Sequence, residues 1–427
     1  MTTATTLVPP TTRRLITDSG VDRASLTVHL RRHGTLALPE AFSPGWADGF
    51  LTEIEHSGLT GRGGGGFPAY RKLRIARGLD RPTLLVNAME GEPASGKDRF
   101  LLATAPHLVL DGADAIASAI DAARIVCCVP EGASGTRDAL VRALGERSAH
   151  RGAVPVEIRS LPGRFVTGEE SALVAGAGGG PALPAYRPDK SVPLTLSGAA
   201  ALVHNAETLA HLALIARHGA AWFREVGDPS SPGTALVTIT GDVAHPGVLE
   251  VVTGTPLREI LASASPTGPL TGVLVGGYGG SWVGPGDLDT PFASGPLRAI
   301  GASMGAGVIV GIASGTCGVR TTAQIARFMA GESAGQCGPC VFGLPAIAAD
   351  LERIAHGTAD REVLPRLERR CAAVNGRGGC RHPDGVVRLV RSALAVFADD
   401  LAAHLAGAPC GASGAPVAGE RRSGVRR

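Results

Sequence analysis

LLVNAMEGEPASGKDR, residues 84–99, opens on a short apolar run and closes on acids, glycines and bases. A run of this length, rich in Leu and Val and bounded by turn formers, reads as a buried strand. It delivers Asn87, Glu90 and Glu92 at its C-terminal end, the edge where open α/β sheets bind ligands. An amide beside carboxylates suits a heterocycle or a ribose better than a phosphate. From about 46 to 230, further strand-like runs (ARIVCCV, VPVEI) alternate with helical ones (ADGFLTEIEHSG, PHLVLDGADAIASAI, TRDALVRALGERSA, AETLAHLALIARHG). That alternation predicts an α/β layer with a mostly parallel sheet.

Just upstream, GLTGRGGGGFPAYRK (58–72) places Gly61, Gly63 and Gly66 at G-x-G-x-x-G spacing. The preceding segment is helical in pattern, so this is not the strand-turn-helix of a dinucleotide fingerprint. Consecutive glycines instead let backbone lie against a flat ring or a phosphate, with Arg62 and Lys72 adding positive charge; a plain surface loop is the competing reading. Downstream, GRFVTGEESALV (163–174) sets Gly168, Glu169 and Glu170 at a turn that opens a helix. These acids read either as ligand contacts or as stabilisers of the helix N-terminus, the second reading fitting Glu170 better than Glu169. HNAETLAHL (204–212) offers Asn205 near a helix start and Thr208 one turn on, donors that could hold a phosphate.

The chain has 427 residues, enough for two or three domains. Lys plus Arg number 41 against 38 Asp plus Glu, with no basic stripe, which argues against nucleic acid as a partner. No apolar run is long enough for a signal peptide or a membrane span, so a cytoplasmic protein is expected. Eight cysteines without an export signal do not suggest a disulfide framework, and five of them fall after residue 330. Cys127 and Cys128, in ARIVCCVP, read as inert core of a strand. Residues 1–45, rich in Thr, Pro and Arg, read as a loosely held arm, 231–295 as a small β-rich domain, 296–405 as a helical bundle and 406–427 as a solvated tail.

ESAGQCGPCVFGL (332–344) carries a Cys-Gly-Pro-Cys pair. A dithiol redox site would follow a strand in a βαβ unit, whereas this pair follows the helical segment QIARFMAGE. Zinc on Cys337, Cys340 and Cys380 with a nearby residue such as His382, an iron-sulfur cluster, and a metal-free loop remain open.

These clusters, in this order and followed by GDVAHPGVLEVVTGTPLREI and ESAGQCGPC, resemble the NADH-oxidising flavoprotein (51 kDa) subunit family of NADH:quinone oxidoreductase, with related subunits in NAD-linked hydrogenases and formate dehydrogenases. The likeness runs over roughly residues 45–400. It implies a Rossmann-like flavin domain, a small β-grasp (SLBB) module and a C-terminal helical bundle with a [4Fe-4S] cluster. FMN and NADH are the implied cofactors, hydride passes from nicotinamide to flavin, and no side chain need act as acid or base. Carried over by motif, Gly61, Arg62, Gly63, Gly64, Gly66 and Lys72 match the flavin loop, and Phe67 matches an aromatic that stacks on the nucleotide. Asn87, Glu90, Gly91 and Glu92 match the strand-end motif, Gly168, Glu169 and Glu170 the G-E-E turn, and Asn205 and Thr208 the phosphate contacts. Cys337, Cys340 and Cys380 match three cluster ligands.

The chain departs from the family at several places. Ala334 stands where the first cluster cysteine is expected, leaving Cys371, Cys317, water or another side chain to complete the set. Met89 replaces an Asp, His204 an Asn and Thr167 a Cys, while Ile75 and Lys190 fall where the family is aromatic. The segments that longer relatives use for further clusters are not recognised, which makes a separate electron carrier, such as a ferredoxin or an iron-sulfur protein, the expected partner. A clusterless NAD(P)H:acceptor flavoprotein and a non-catalytic assembly subunit that retains the fold are the alternatives.

Overall fold

The structure is a computed structural model and describes residues 13–16, 24–147, 154–189, 192–408, 410, 412 and 414. Three helices, α1 (Leu26–His33), α2 (Pro44–Ser57) and α3 (Ala69–Arg77), precede the first strand, β1 (Thr83–Asn87). Next come α4 (Lys97–Thr104), α5 (Pro106–Ala119), β2 (Arg124–Pro130), α6 (Ser134–Glu146), β3 (Val156–Leu161), α7 (Glu170–Ala177), β4 (Leu194–Leu196), β5 (Ala199–Asn205) and α8 (Ala206–Arg224). The strands form one sheet in the order β3-β2-β1-β5-β4. All its pairings are parallel except the β4–β5 edge. The order reverses between β1 and β5, and such a reversal opens a crevice at the carboxyl ends of the strands. In register, Asn87 pairs with Asn205 across that crevice. Cys127 and Cys128 are fully buried on β2, the inert placement expected of them.

A two-residue ribbon, β6 (Gly227–Asp228) with β7 (Ser231–Pro232), leads into a second sheet. This comprises β8 (Thr234–Gly241), β9 (Gly247–Val252), β10 (Leu270–Val275), β11 (Ser281–Val283) and β12 (Val308–Ala313), in the order β11-β10-β12-β8-β9. Helices α9 (Leu257–Ala262) and α10 (Ser294–Ala299) lie within this stretch. The central strand β12 comes from beyond residue 295, because VIVGIA is a continuous apolar run whose spacing does not separate strand from helix. β12 runs parallel to β8 and antiparallel to β10, so the sheet is incomplete without it.

Five helices follow: α11 (Gly318–Gly331), α12 (Leu344–Ala355), α13 (Val363–Val374), α14 (His382–Val396) and α15 (Ala398–Leu405). Fully buried Asp350 on α12 accepts from Arg366 at 3.1 Å and also pairs with Arg370, binding α12 to α13. Helix α14 lies against β11, where the Trp282 amide donates to Ser392 Oγ at 2.9 Å. The two approach so closely that a Cβ on Gly385 would come within 3.0 Å of the Gly279 Cα.

Residues 13–16, expected within a loosely held arm, are clamped. The amides of Arg14, Leu15 and Ile16 all donate to the carboxylate of Glu250 on β9, and Thr234 Oγ1 adds a fourth bond at 2.7 Å. The Arg14 guanidinium lies 3.9 Å from the Trp222 ring centroid and donates to the carbonyls of Trp222 and Phe223. Composition could not reveal this, because the partner acid lies 236 residues away. Glu250 is wholly buried, so truncating it strands several donors at once. Glu250→Ala is expected to lower unfolding stability by about 3 kcal/mol. Urea denaturation checks the magnitude, and faster proteolysis near Arg13 checks the cause.

Among the described residues no single helix is long and apolar enough to cross a membrane. Helices α4 and α5 together reach that composition but meet at 96°, and α5 is core along nearly its whole length.

Candidate functional site

A cavity of about 500 Å³ lies at the crevice between β1 and β5, within the size range of small-ligand pockets. Every residue nominated from the glycine loop, the strand-end motif, the G-E-E turn and the Asn205 segment lines it, except Arg62. Its far wall is made by loops of the second sheet, at Gly276, Gly279 and Gly305, and by Cys380 and His382 ahead of and in α14.

The glycine loop is tied at its base, where the Gly61 amide donates to the Phe67 carbonyl at 2.8 Å. The Arg62 side chain turns away from the cavity and donates to the carbonyls of Pro232 and Thr234, each at 3.2 Å. Arg62 therefore braces the loop from beneath. Its amide donates to Thr208 Oγ1 at 2.9 Å, which holds that hydroxyl at the cavity wall. Between these anchors a Cβ on Gly65 or Gly66 would meet nothing within 4 Å, while one on Gly63 would press to 3.2 Å from the Asn205 Cβ. Backbone thus forms a floor with open space above it. Phe67, 45% exposed, stands at the mouth.

At the end of β1, Asn87 Nδ2 donates to the Gly168 carbonyl at 3.0 Å and so joins the strand to the G-E-E turn. Gly91 lies between them, where a Cβ would sit 2.7 Å from the Phe165 carbonyl oxygen. Glu90 adopts a left-handed backbone, φ 41°, a conformation that costs a non-glycine residue energy. Its carboxylate accepts from the amides of Asp98 at 2.9 Å and Arg99 at 3.2 Å, at the start of α4. In the G-E-E turn the roles of the two acids are the reverse of the sequence expectation. Glu169 caps α7 by accepting from the Ser171 amide at 2.9 Å and the Ala172 amide at 3.0 Å, whereas Glu170 pairs with Lys72 at 2.9 Å. Both acids also line the cavity, Glu169 from the cap and Glu170 from the first turn of α7.

Beneath the cavity lies a buried charge network that sequence reading missed. Lys97 Nζ contacts Asp98 at 2.8 Å and Glu207 at 2.9 Å, and Asn205 Nδ2 donates to Asp98 at 2.6 Å. Asn205 also caps α8 by accepting from the Glu207 amide at 3.1 Å. Burial opposes the charge on Glu207, but Lys97 and its other partners hold the carboxyl down at about 2. The signal was available in GKDR, an adjacent base and acid directly after a ligand-bearing strand end.

Glu92 bridges the two sheets. It is half-buried at the cavity wall, accepts from the Ala94 amide at 3.3 Å and, across the interface, from the Tyr278 amide at 2.9 Å. Burial pushes its carboxyl up to about 7 against the pull of those two amides. An unfolded Glu titrates near ~4.3. Between those values the native chain retains a proton that the unfolded chain has released, so this group makes stability fall as pH rises from ~4.3 to 7 and level off above. Glu92→Gln is expected to flatten that part of the profile. The check is the urea midpoint of both proteins at pH 5 and pH 7.5, with the wild type losing more between them.

The three nominated thiols lie near enough to act on one another's charge, without all three sulfurs falling within 4.8 Å of one another. Cys340 lies in the short helical turn Pro339–Gly343 that runs straight into α12, rather than in a loop, and its amide donates to the Cys337 carbonyl at 3.0 Å. Burial, with Cys337 and Cys380 close by, pushes the Cys340 thiol up to about 12. Cys380 lies between α13 and α14, where the His382 amide donates to its sulfur. Neither Cys317 nor Cys371 is among the groups that act on Cys340 or Cys380. Cys317 caps the opposite end of α11, a helix about 21 Å long at 1.5 Å per residue over 14 residues. Cys371 is fully buried on α13 beside Glu368 and Arg391. Ala334 supplies no donor, and the Nε2 of His382 is taken by the Met329 carbonyl at 2.8 Å.

Comparison with known proteins bears on this arrangement. The Nuo51 FMN-binding domain matches residues 54–214, and the iron-sulfur binding region of NADH-ubiquinone oxidoreductase-F matches residues 320–404. The second NADH-quinone oxidoreductase F-subunit of Rhizobium meliloti (strain 1021) is 31% identical over 391 residues, covering 87% of this chain and 92% of that protein. The chain belongs to the NADH-quinone oxidoreductase F-subunit family. The F-subunit of Streptomyces coelicolor is 29% identical, covering 90% of this chain and 89% of the relative. The structure of an NAD+-reducing [NiFe]-hydrogenase in its H2-reduced state superposes with a TM-score of 0.78 at 34% identity, over 86% of this chain and 64% of that one. The chain thus spans a little under two thirds of the hydrogenase chain it matches.

For this family the residues present fit a flavin. The floor lacks side chains where a flat ring would lie, and His204, which lines the cavity, has an Nε2 without a partner among the described residues. The departures are also located. Met89 is buried in the core beside Leu85 and Leu161 and offers no polar group, Thr167 is fully buried, and Ile75 is exposed on α3. Lys190 lies outside the described residues. The thiol chemistry of Cys337, Cys340 and Cys380 fits three ligands of an iron-sulfur cluster.

Proposed function

We propose that the chain oxidises NADH by way of FMN in the β1–β5 cavity and passes electrons through a [4Fe-4S] cluster on Cys337, Cys340 and Cys380 to a separate iron-sulfur carrier. The supporting observation is that four segments scattered over residues 61–208 converge on one cavity whose wall also includes Cys380. Flavin, when bound, accepts a hydride and releases electrons singly, and a cluster carries them one at a time. The chain's own residues hold and orient. Gly63, Gly64 and Gly66 give the ring its floor, and Lys72, already balanced by Glu170, offers a steered positive charge at its edge. Asn205, Thr208 and the start of α8 face the phosphate end, with Thr208 also accepting from the Arg62 amide. Glu92 and Glu169 position the ribose and nicotinamide amide, and half-exposed Phe67 gives the nucleotide a stacking surface.

On this reading the α/β layer of residues 46–230 is the nucleotide domain, and the second sheet, β12 included, is the β-grasp module. Residues 318–405 form the cluster-bearing bundle. All eight cysteines are free thiols, which suits a reducing cytoplasm. Val341 and Phe342, the latter 76% exposed, follow Cys340 directly and give a carrier an apolar place to dock. The three-thiol set keeps a second reading in view, a clusterless NAD(P)H:acceptor flavoprotein.

Anaerobic titration with NADH tests the proposal: the visible flavin band of the purified protein bleaches with about one equivalent. A protein that takes up no FMN on reconstitution, or whose flavin stays oxidised with excess NADH, would refute it. Iron and acid-labile sulfide on the same sample separate the two readings.

A further inference from the structure

At the other end of α11, away from the cavity, two cysteines and a histidine converge. Cys317 is the N-cap residue of α11, His404 lies in the last turn of α15, and Cys410 follows six residues later. His404 Nε2 lies 3.4 Å from Cys317 Sγ and 3.3 Å from Cys410 Sγ, and all three atoms fall within 4.8 Å of one another. Cys317 and His404 are each 1% exposed, while Cys410 is half-buried.

The tautomer of His404 is fixed by its second nitrogen. Nδ1 lies 3.1 Å from the Ile354 carbonyl, which can only accept, so Nδ1 carries the proton and Nε2 turns its lone pair toward both sulfurs. This is how metal-bound imidazoles are oriented, with the far nitrogen donating to a backbone carbonyl. The Arg320 amide, 3.4 Å from Cys317 Sγ, and the start of α11 both favour negative charge on that sulfur. Cys317 and Cys410 also hydrogen-bond to each other, so both sulfurs and Nε2 are close enough to bind one cation together. Burial, together with neighbouring Cys410, raises the Cys317 thiol to about 11. A soft cation displaces both thiol protons as it binds.

We propose that Cys317, His404 and Cys410 hold a zinc ion, with water reaching the fourth position from the half-exposed Cys410 side. Two thiol protons leave to solvent as two zinc–sulfur bonds form, and no electron is transferred. The ion fastens the residues after α15 to the start of α11 and, through Ile354, to α12. It is separate from Cys337, Cys340 and Cys380, which lie beyond the other end of α11.

The test is zinc and iron content per chain after incubation of the full-length protein with one equivalent of zinc chloride and desalting. The wild type is expected to retain about one zinc, and Cys410→Ser and His404→Gln to lose it at least ~5-fold with iron and flavin unchanged, whereas Cys337→Ser keeps its zinc. Cys410 lies beyond the last helix, so its serine variant tests the site even if His404→Gln fails to fold. Slower alkylation of Cys410 in the zinc-loaded wild type is the second expected result. Zinc below ~0.2 per chain in the wild type, zinc undiminished in Cys410→Ser, or a Cys317–Cys410 disulfide in the peptide map of the native protein would each overturn the proposal.

Discussion

Gly65→Leu is expected to yield a folded, colourless protein. A Cβ at Gly65 meets nothing within 4 Å, and the residue does not use the left-handed backbone that Gly64 and Gly66 adopt, at φ 102° and 59°. The added side chain therefore enters empty space and leaves the protein's own packing undisturbed. That space is where a flat ring would lie, and forcing a leucine against it costs about 1–3 kcal/mol. The upper end corresponds to roughly 100-fold weaker flavin binding. Two measurements check it together: FMN released per chain, and thermal unfolding of the apoprotein. Loss of flavin at an unchanged melting temperature is the expected pair. Gly65→Leu protein that binds FMN as tightly as the wild type would show that the floor lies elsewhere.

Cys340→Ser is expected to remove iron almost completely while leaving the flavin in place. Cys340 is 2% exposed and lies at the centre of the three thiols, since both Cys337 and Cys380 act on it. A serine there neither ionises readily nor suits iron, so iron falls from about four per chain to under a tenth of that. NADH still bleaches the flavin, but turnover with a one-electron protein acceptor falls at least ~100-fold. The converse change is informative as well. Ala334→Cys supplies the thiolate missing from the motif, and the expected result is a cluster that survives longer in air. If Cys340→Ser retains full iron, these thiols are not the ligands.

Parts of the molecule were legible in the sequence for a specific reason. LLVNA reads as a buried strand by length and composition, and the glycine run, the strand-end acids and the cysteines were narrowed by their collinear order more than by any one motif. Strand β5 was missed because SGAAALVHN is rich in alanine, which favours helix over strand, and pairing with β1 overrides that preference. Arg62 looked like a ligand contact, yet its guanidinium is held by carbonyls 170 and 172 residues away. The same holds for the clamp of Arg14 on Glu250 and for the bond from Tyr278 to Glu92. Local pattern reports residue type and period, whereas the partner of a buried polar group is set by topology, which a single chain does not display.

Phe165 occupies a position from which neither half of the site can be adjusted alone. Its carbonyl abuts Gly91, its amide donates to Glu332 at the end of α11 at 2.9 Å, and its ring lies edge-on to His382, 5.4 Å between centroids. Arg164 beside it donates to the Ser333 carbonyl, one residue ahead of Ala334. Any shift of this turn would move the nucleotide end and the sulfur end in concert, so selection on one is also selection on the other. With alanine at residue 334, the spacing between the two ends is still held by this turn.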